Sequence, residues 1–192
     1  MRDPHEASNP AEAQRIAELE HYDRPRFEQA VLPHLNAAYN LARWLTQDDH
    51  ASEDCVQEAY YRAARYFSSF RGGDGRAWLL GIVRRAVLDW LAKHRGEAPE
   101  VYSDDIHGKV DDSLDPSVQV IRKNDQERVR AALAALSAPL REAIVLRELE
   151  GLSYREIAAV TETAIGTVMS RISRARVQLQ RLLSTDEVRA ER

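Results

Sequence analysis

A cluster of basic and hydroxyl side chains lies near the C-terminal end of the sequence, in residues 151–183, which read GLSYREIAAVTETAIGTVMSRISRARVQLQRLL. Residues 163–183 hold four arginines and no acidic residue, although the whole chain has a net charge of −4. Arginines neutralise phosphates, and an arginine aimed at a guanine edge can donate two hydrogen bonds in the major groove. This pattern indicates a surface for duplex DNA, and a merely solvated helical face is the alternative interpretation.

Capping residues predict where the helices that carry these arginines begin and end. Ser153 and Glu156 have the spacing of a capping box, which starts a short helix, and Thr163 can cap the next helix. Before them, Ser137 can cap a helix that Gly151 ends. Apolar residues then follow one face of the last helix, namely Ile165, Val168, Ile172, Leu179 and Leu182. The polar residues that project elsewhere are Thr167, Ser170, Arg171 and Arg174. The sequence therefore predicts a helix-turn-helix.

The first half of the chain is also predicted to be helical, from residue 25 onward. Pro33 should bend or divide the first element because proline removes a helical donor. Ser52 is the predicted N-cap of the next helix, and the three glycines of residues 68–75 indicate a loop. A long helix over residues 76–95 follows, and a short helix is expected at residues 11–20.

Basic and aromatic residues alternate between residues 62 and 95, where eight lysines or arginines accompany two acids. The aromatic residues are Tyr66, Phe67, Phe70, Trp78 and Trp90. Cations beside flat rings suit single-stranded DNA, because cations follow the backbone and rings accept unstacked bases. The spacing of Trp78 and Trp90 favours a place in the core for both. Arg76, Arg84 and Arg85 are the better candidates for DNA contact.

Asp54, Gln57 and Glu58 are spaced to lie on one face of a helix. This face is either a protein-docking surface or a solvated polar stripe. Elsewhere the sequence offers no histidine pair at metal-ligand spacing, and its single cysteine, Cys55, excludes an internal disulfide. We expect no catalytic residue, metal or cofactor.

Composition sets the class and setting of the protein. Its 44% hydrophobic and 30% charged residues suit a globular, helix-rich chain. The longest apolar run, residues 77–83, is too short to cross a bilayer. The polar, acidic first residues do not resemble a secretory signal, so we expect a cytoplasmic protein without membrane insertion.

Residues 97–119 contain seven acids and one lysine and predict a flexible acidic linker. We expect an all-α protein in which two small helical domains flank this linker. The predicted limits are an extension at 1–24, a domain at 25–95, the linker at 96–124, a second domain at 125–185 and a tail at 186–192. The linker can span roughly 100 Å at about 3.3–3.6 Å per residue, which exceeds two turns of B-DNA.

Two long stretches resemble extracytoplasmic-function (group IV) sigma factors of the bacterial sigma-70 family. LREAIVLRELEGLSYREIAAV and GTVMSRISRAR are similar to their fourth region. DCVQEAYYRAARYFSSFRG and RAWLLGIVRRAVLDWLAKHR are similar to their second region. The resemblance implies an alternative-sigma transcription initiation factor that binds core RNA polymerase, directs it to specific promoters and promotes melting.

The resemblance also implies partners and residue roles. The partners are the β′ coiled coil and β flap of core RNA polymerase, promoter DNA in duplex and single-stranded form, and an anti-sigma factor. Asp54, Gln57 and Glu58 would bind polymerase. The residues implied for the minus-ten element are Arg71, Asp74, Arg76, Arg84 and Arg85, with Arg71 and Asp74 lining a loop that holds an extruded base. The residues implied for the minus-thirty-five element are Arg147, Thr167, Ser170, Arg171, Arg174 and Arg176, with Arg174 reading bases and Arg147 and Arg176 on the DNA backbone.

The sequence departs from the family pattern at two positions. Met169 stands where relatives often have arginine, which predicts one lost contact and an altered preferred sequence. Arg85 stands where they frequently have asparagine, and a long cation there more naturally holds phosphate.

Two other classes of function compete with this interpretation. A helix-turn-helix regulator of another family would bind duplex DNA tightly without polymerase, usually as a dimer on a palindrome. A recombinase would need a nucleophile and acid–base partners in the first domain, where the sequence offers no such arrangement.

Overall fold

A computed structural model of the chain describes residues 24–94 and 126–190, with side chains described as far as residue 184. Within these ranges the regular structure is entirely helical, without strands, which confirms the predicted all-α class. The predicted helix at residues 11–20 and the acidic linker lie outside the described residues.

Four helices lie in residues 24–94, the described part of the N-terminal half, and a 3-10 turn, Leu32–His34, separates the first two. The predicted division at Pro33 is therefore confirmed, since this turn contains the proline. The helices are α1 (Arg24–Val31), α2 (Leu35–Thr46), α3 (Asp49–Arg65) and α4 (Gly75–Lys93).

The start of α3 differs from the prediction. Asp48 is the N-cap, and its side chain accepts a hydrogen bond from the backbone N–H of Ala51 at 2.7 Å. Ser52, the predicted cap, lies inside the helix, where it is fully buried and within 2.8 Å of the Thr46 hydroxyl. The prediction was wrong because serine and aspartate are equally good caps, and tertiary packing selects between them.

The glycine loop between α3 and α4 follows a second 3-10 turn, Phe67–Ser69. Gly72 and Gly73 have φ of +90° and +97°, a backbone conformation that glycine adopts without steric cost. Gly75 begins α4 so close to α1 that an added Cβ would lie 2.2 Å from the carbonyl oxygen of Ala30. The loop is thus confirmed, and its last glycine is required by close packing.

Apolar side chains from all four helices fill the interior of this half. Leu41, Leu79, Leu80 and Val83 are fully buried in it. Trp78 and Trp90 are partly buried and pack against this core, in agreement with the interpretation from spacing.

The C-terminal half begins with a helix over residues 126–134, here called α5. A π-helical segment, Val145–Leu149, follows the next helix directly, and Gly151 then breaks the chain direction with φ of +65°. The remaining helices are α6 (Ala138–Ile144), α7 (Tyr154–Thr161) and α8 (Ile165–Ala190). The predicted tail from residue 186 is therefore helical up to Ala190.

The predicted capping residues of these helices differ in whether they make a capping hydrogen bond. The Ser153–Glu156 capping box is present in full, so that prediction is confirmed. Ser137 occupies the N-cap position of α6, but its side chain makes no capping hydrogen bond. α8 begins two residues after Thr163, whose hydroxyl instead lies 2.9 Å from that of Thr161.

The two halves lie against one another. α4 packs on α7, and α2 packs on α6. The Gln47 side chain also donates a hydrogen bond to the carbonyl oxygen of Ala134 at 3.5 Å. The sequence had predicted two bundles joined only by a linker, a pattern that holds no information about contacts between them.

Candidate nucleic-acid interface

The polar face of α3 is largely open to solvent. Asp54 and Gln57 are exposed, whereas Glu58 is half-buried and accepts a hydrogen bond from Arg62 at 2.8 Å. Arg62 also donates to Asp89 of α4 at 2.6 Å. The first two side chains are thus available to a partner, and the third is held in place by an ion pair.

The glycine loop presents one exposed cation and one engaged carboxylate. Arg71 is exposed, and Asp74 is the N-cap of α4, accepting a hydrogen bond from the backbone N–H of Arg76 at 2.9 Å. Asp74 therefore has a structural role in this state.

The arginines of α4 face the C-terminal half, and each is paired with an acid there. Two of these pairs are largely shielded from water, and the third lies at the exposed rim. The pairs are Arg76–Glu150 at 2.5 Å, Arg84–Glu142 at 2.7 Å and Arg85–Glu162 at 2.6 Å.

Glu142 lies at the centre of this contact. Its burial raises the pKa of the carboxyl group, while the charges of Arg84 and Arg171 and the hydrogen bond from Arg84 oppose that rise. Because Arg84 belongs to α4 and Arg171 to α8, one carboxylate interacts with a cation from each candidate DNA-binding helix.

The outer surface of α8 is more accessible. Thr167 and Arg174 are exposed, while Ser170 and Arg171 are half-buried. Arg174 donates a hydrogen bond to the Ser170 hydroxyl at 3.0 Å, and Ser170 donates to the Thr167 carbonyl oxygen at 3.2 Å. The first bond joins two side chains of the same face, and the second ties Ser170 to the helix backbone. The buried Val168 anchors the helix on its opposite side.

The two arginines that were expected to contact the DNA backbone, Arg147 and Arg176, bind other groups of this chain in the structure. Arg147 donates to the Leu152 carbonyl oxygen at 2.8 Å, and its guanidinium lies 5.0 Å from the centre of the Tyr154 ring. Arg176 donates to Glu148 at 2.6 Å. Arg147 therefore also fixes the turn before α7.

Four exposed large apolar residues lie on the last helix among its described side chains, namely Ile165, Met169, Val177 and Leu182. Ile165 is 43% exposed and Leu182 37%, so the predicted apolar face is buried only in its middle part. Met169, at the departure from the family pattern, is 52% exposed.

Sequence reasoning missed the acidic residues that meet α4. Glu142 and Glu150 are buried, and the signal that could have found them is their position at the two ends of the apolar-rich stretch AIVLREL, where an unpaired carboxylate would be costly. Glu162 was missed because it lies in the turn between α7 and α8, with φ of +53°, where no helical periodicity indicates which way a side chain faces.

Across the described ranges, no helix is both long and apolar enough to cross a membrane. The described side chains, those of residues 24–94 and 126–184, also include no group of three or more histidine, cysteine or acidic residues placed to hold a metal ion.

Two family models match the chain, namely sigma-70 region 2 over residues 30–97 and sigma-70 region 4 over residues 126–179. The ECF RNA polymerase sigma factor SigE of Mycolicibacterium smegmatis is 33% identical over 162 residues, which cover 83% of this chain and 62% of that protein. The RNA polymerase sigma-H factor of Pseudomonas aeruginosa is 30% identical over 179 residues, 88% of this chain and 92% of that protein. A solved structure of the sigma factor RpoE from Bartonella quintana, in complex with the anti-sigma factor NepR, is 36% identical with a TM-score of 0.68, covering 84% of this chain and 98% of that one.

Proposed function

This chain belongs to the extracytoplasmic-function group of the sigma-70 family of RNA polymerase sigma factors, and we infer its function from that membership. We propose that it binds core RNA polymerase, directs the enzyme to specific promoters and promotes their melting. The observation that carries this proposal is the presence of two separate surfaces, a polar face on α3 and an arginine-bearing face on α8.

The proposed polymerase contact is the face of α3. Asp54 and Gln57 are exposed there, so their oxygen atoms can accept hydrogen bonds from the β′ coiled coil. Glu58 contributes through Arg62, which it holds against the helix. The C-terminal half is proposed to meet the β flap.

The proposed reader of the minus-thirty-five element is α8, lying in the major groove. Arg174 extends from its exposed surface and is assigned to base edges, where a bidentate contact with guanine contributes about 1–3 kcal/mol of discrimination. Thr167, Ser170 and Arg171 are assigned to neighbouring bases and phosphates. Arg147 and Arg176 are assigned to the DNA backbone, which requires Arg176 to leave Glu148.

The proposed reader of the minus-ten element is α4 with the loop before it. Arg76, Arg84 and Arg85 would hold the phosphates of the separated strand, and Arg71 and Asp74 would border an extruded base. Stacking and pocket contacts contribute about 1–3 kcal/mol per base, which is comparable with the cost of unstacking. Melting is then differential binding to the open duplex, without any chemical step performed by this chain.

The remaining assignments follow from that division of labour. The two domains are proposed to be residues 25–95 and 125–185, with the acidic linker allowing both promoter elements to be read at once. An anti-sigma factor is the proposed regulatory partner, since RpoE of Bartonella quintana binds one. Working with RNA polymerase places the protein in the bacterial cytoplasm, with no cofactor required.

The test is reconstituted initiation on a promoter library. The purified chain is mixed with core RNA polymerase, and the start regions of the transcripts are sequenced. We expect defined start sites that share two elements and that disappear without the chain. A matched control carries Asp54→Ala and Gln57→Ala, which should lower polymerase affinity without changing DNA preference. Initiation that is undefined, or independent of the chain, would overturn the proposal.

A further inference from the structure

We propose that Met169 is a specificity-determining residue of α8, which selects a thymine in the upstream promoter element through the C5-methyl group of that base. This inference rests on the proposed function and deepens it, because it names a base for the helix that is assigned to the minus-thirty-five element. The fold itself does not need this side chain, since Met169 is 52% exposed and the described core is built without it.

The position of Met169 on α8 directs it away from the core. The residues of this part of α8 that are almost completely buried are Val168, Ile172 and Ala175. A helix of 3.6 residues per turn places Met169 about 100° around the axis from Val168. Met169 therefore lies at one edge of the outward face, whose centre is Ser170.

The helix turn before Met169 leaves room for a base edge to approach. Side chains on a helix lean towards its N-terminus, so Met169 covers the turn that holds Ile165 and Gly166. A Cβ added to Gly166 would meet nothing within 4 Å, so packing within the chain does not require a glycine there. Ile165 is 43% exposed and, four residues before Met169, shares its side of the helix. The result is a small, low apolar area beside the polar residues of α8.

The surroundings of this apolar area favour DNA over an apolar protein partner. Residues 163–183 carry four arginines and no acid, and phosphates are attracted to such a surface. The nearest polar residues of the outward face are Thr167, Ser170 and Ser173. Protein-docking patches are usually contiguous apolar surfaces of several hundred Å², which one methionine and one isoleucine do not provide. Duplex DNA suits both features, because its base edges lie between two rows of phosphates.

The chemistry of the methionine side chain selects the base. A thioether has no charge and no hydrogen to donate, so it cannot pair with the acceptor atoms of guanine. Thymine presents an apolar C5-methyl group in the major groove, which an apolar side chain can contact. Methionine is flexible and polarisable and therefore adapts well to such a contact. Removing one methyl-sized group from water corresponds to about a four-fold preference.

The first experiment measures base preference in reconstituted initiation with core RNA polymerase, on a library randomised at the upstream element. We expect wild type to enrich thymine about four-fold over cytosine at one position, on either strand, separate from the guanine assigned to Arg174. Met169→Ala should lose the thymine preference and keep the guanine preference. Met169→Leu, which retains an apolar side chain of similar size, should keep both.

Leu182→Ala is the matched control, since Leu182 is 37% exposed and lies about 20 Å further along α8. It should change neither preference. Because Met169 is exposed, its replacement should also leave thermal unfolding unchanged, which circular dichroism checks.

The second experiment isolates the methyl group from every other difference between bases. The selected thymine is replaced by uracil, which lacks only the C5-methyl group. Wild-type initiation should fall about four-fold, whereas initiation by Met169→Ala should not respond to the replacement. At the same position, 5-methylcytosine should support more initiation than cytosine with wild type but not with Met169→Ala.

Three results would overturn the inference. They are equal wild-type initiation from the thymine and uracil promoters, a thymine preference that survives in Met169→Ala, and the absence of any thymine preference in wild type. Met169→Ala that lowers initiation equally at every upstream sequence would also exclude base reading and would assign Met169 to a protein contact.

These outcomes separate failure of this inference from failure of the proposed function. If wild type initiates at defined sites that share two elements, but the uracil promoter is as active as the thymine promoter, the role of Met169 is wrong and the function stands. If wild type supports no defined initiation with core polymerase, the function itself is wrong and the inference falls with it.

Discussion

The helices α4 and α8 both carry arginines, yet their surroundings differ. On α4, Arg76, Arg84 and Arg85 each meet an acid from the other half of the chain. On α8, Arg174 is exposed and bonds to Ser170 of its own helix. The number of positive charges on a helix therefore does not decide whether its arginines are accessible to a ligand. The ion-pair partners and the burial of the arginines decide this accessibility.

The structural supports of the two helices explain this difference. α8 follows the short, strongly capped α7 and buries Val168 and Ile172, which turns its polar face outward. α4 is central in its half, with Leu79 and Val83 facing the core and the arginine side facing the C-terminal half. The polar face of α8 is therefore open to solvent, whereas α4 is covered by its own core on one side and by the C-terminal half on the other.

A large loss of stability should reveal whether α4 and α8 unfold as one cooperative unit. Leu146→Ala in the C-terminal core should reduce the free energy of unfolding by about 2–5 kcal/mol, because Leu146 is fully buried. All three tryptophans lie in the N-terminal half. Urea unfolding followed by tryptophan fluorescence should therefore show the loss if the halves unfold together.

Leu88→Ala provides the control for that experiment, since Leu88 is 43% exposed and its loss should cost far less. A tryptophan transition that does not move in Leu146→Ala, while circular dichroism shows early loss of helix, would mean that the two halves unfold independently.

A second experiment separates the two arginine sets by their DNA targets. Arg174→Ala should cost about 1–3 kcal/mol of upstream-element discrimination, which is roughly 5- to 150-fold in selection. Arg84→Ala should leave that element unchanged and weaken downstream selection. Both are measured by sequencing initiation products from the promoter library. Equal loss at both elements for either variant would contradict the division between α4 and α8.

A smaller effect tests the display of α8 by its preceding helix. Ser153→Ala removes the hydroxyl half of the capping box and should lower the free energy of unfolding by about 1 kcal/mol. Thermal unfolding measures the loss. Ser173→Ala, on the exposed surface of α8, is the matched control and should stay within about 0.5 kcal/mol. Comparable losses for the two would show that the cap adds nothing.

The smallest effect concerns Cys55, which is buried behind the polar face of α3. Burial, aided by Asp54, raises the pKa of its thiol to about 11. The thiol thus stays protonated at neutral pH, and its stabilising effect is lost only as pH rises from the unfolded pKa towards 11. A thiol reagent at pH 8 should react with native protein much more slowly than with urea-unfolded protein. Equal rates would show that the thiol is accessible.

Local signals were sufficient to predict much of the fold. The Ser153–Glu156 box, the break at Pro33 and the glycine loop involve neighbouring residues, so their physics is visible in the sequence. The choice of Asp48 over Ser52 as cap was not visible, because the buried hydroxyl contact between Ser52 and Thr46 settles it.

The candidate site was predictable as residue types but not as pairings. The arginines of α4 were identified from charge and aromatic spacing, whereas their acidic partners lie 58 to 77 residues further along the chain. No periodicity or motif reports a contact at such separation. The roles of the predicted DNA- and polymerase-binding residues remain predictions for the experiments above.

The tight seat of Gly75 has a mechanical consequence for the loop before α4. Any larger residue would force the helix start away from Ala30, so this end of the loop is clamped. Gly72 and Gly73, by contrast, leave open space around their backbone. The segment is therefore held firmly at Gly75, next to α1, while its middle has room to adapt to an incoming group. A displacement of the loop would then be passed to α1 through the contact between Gly75 and Ala30.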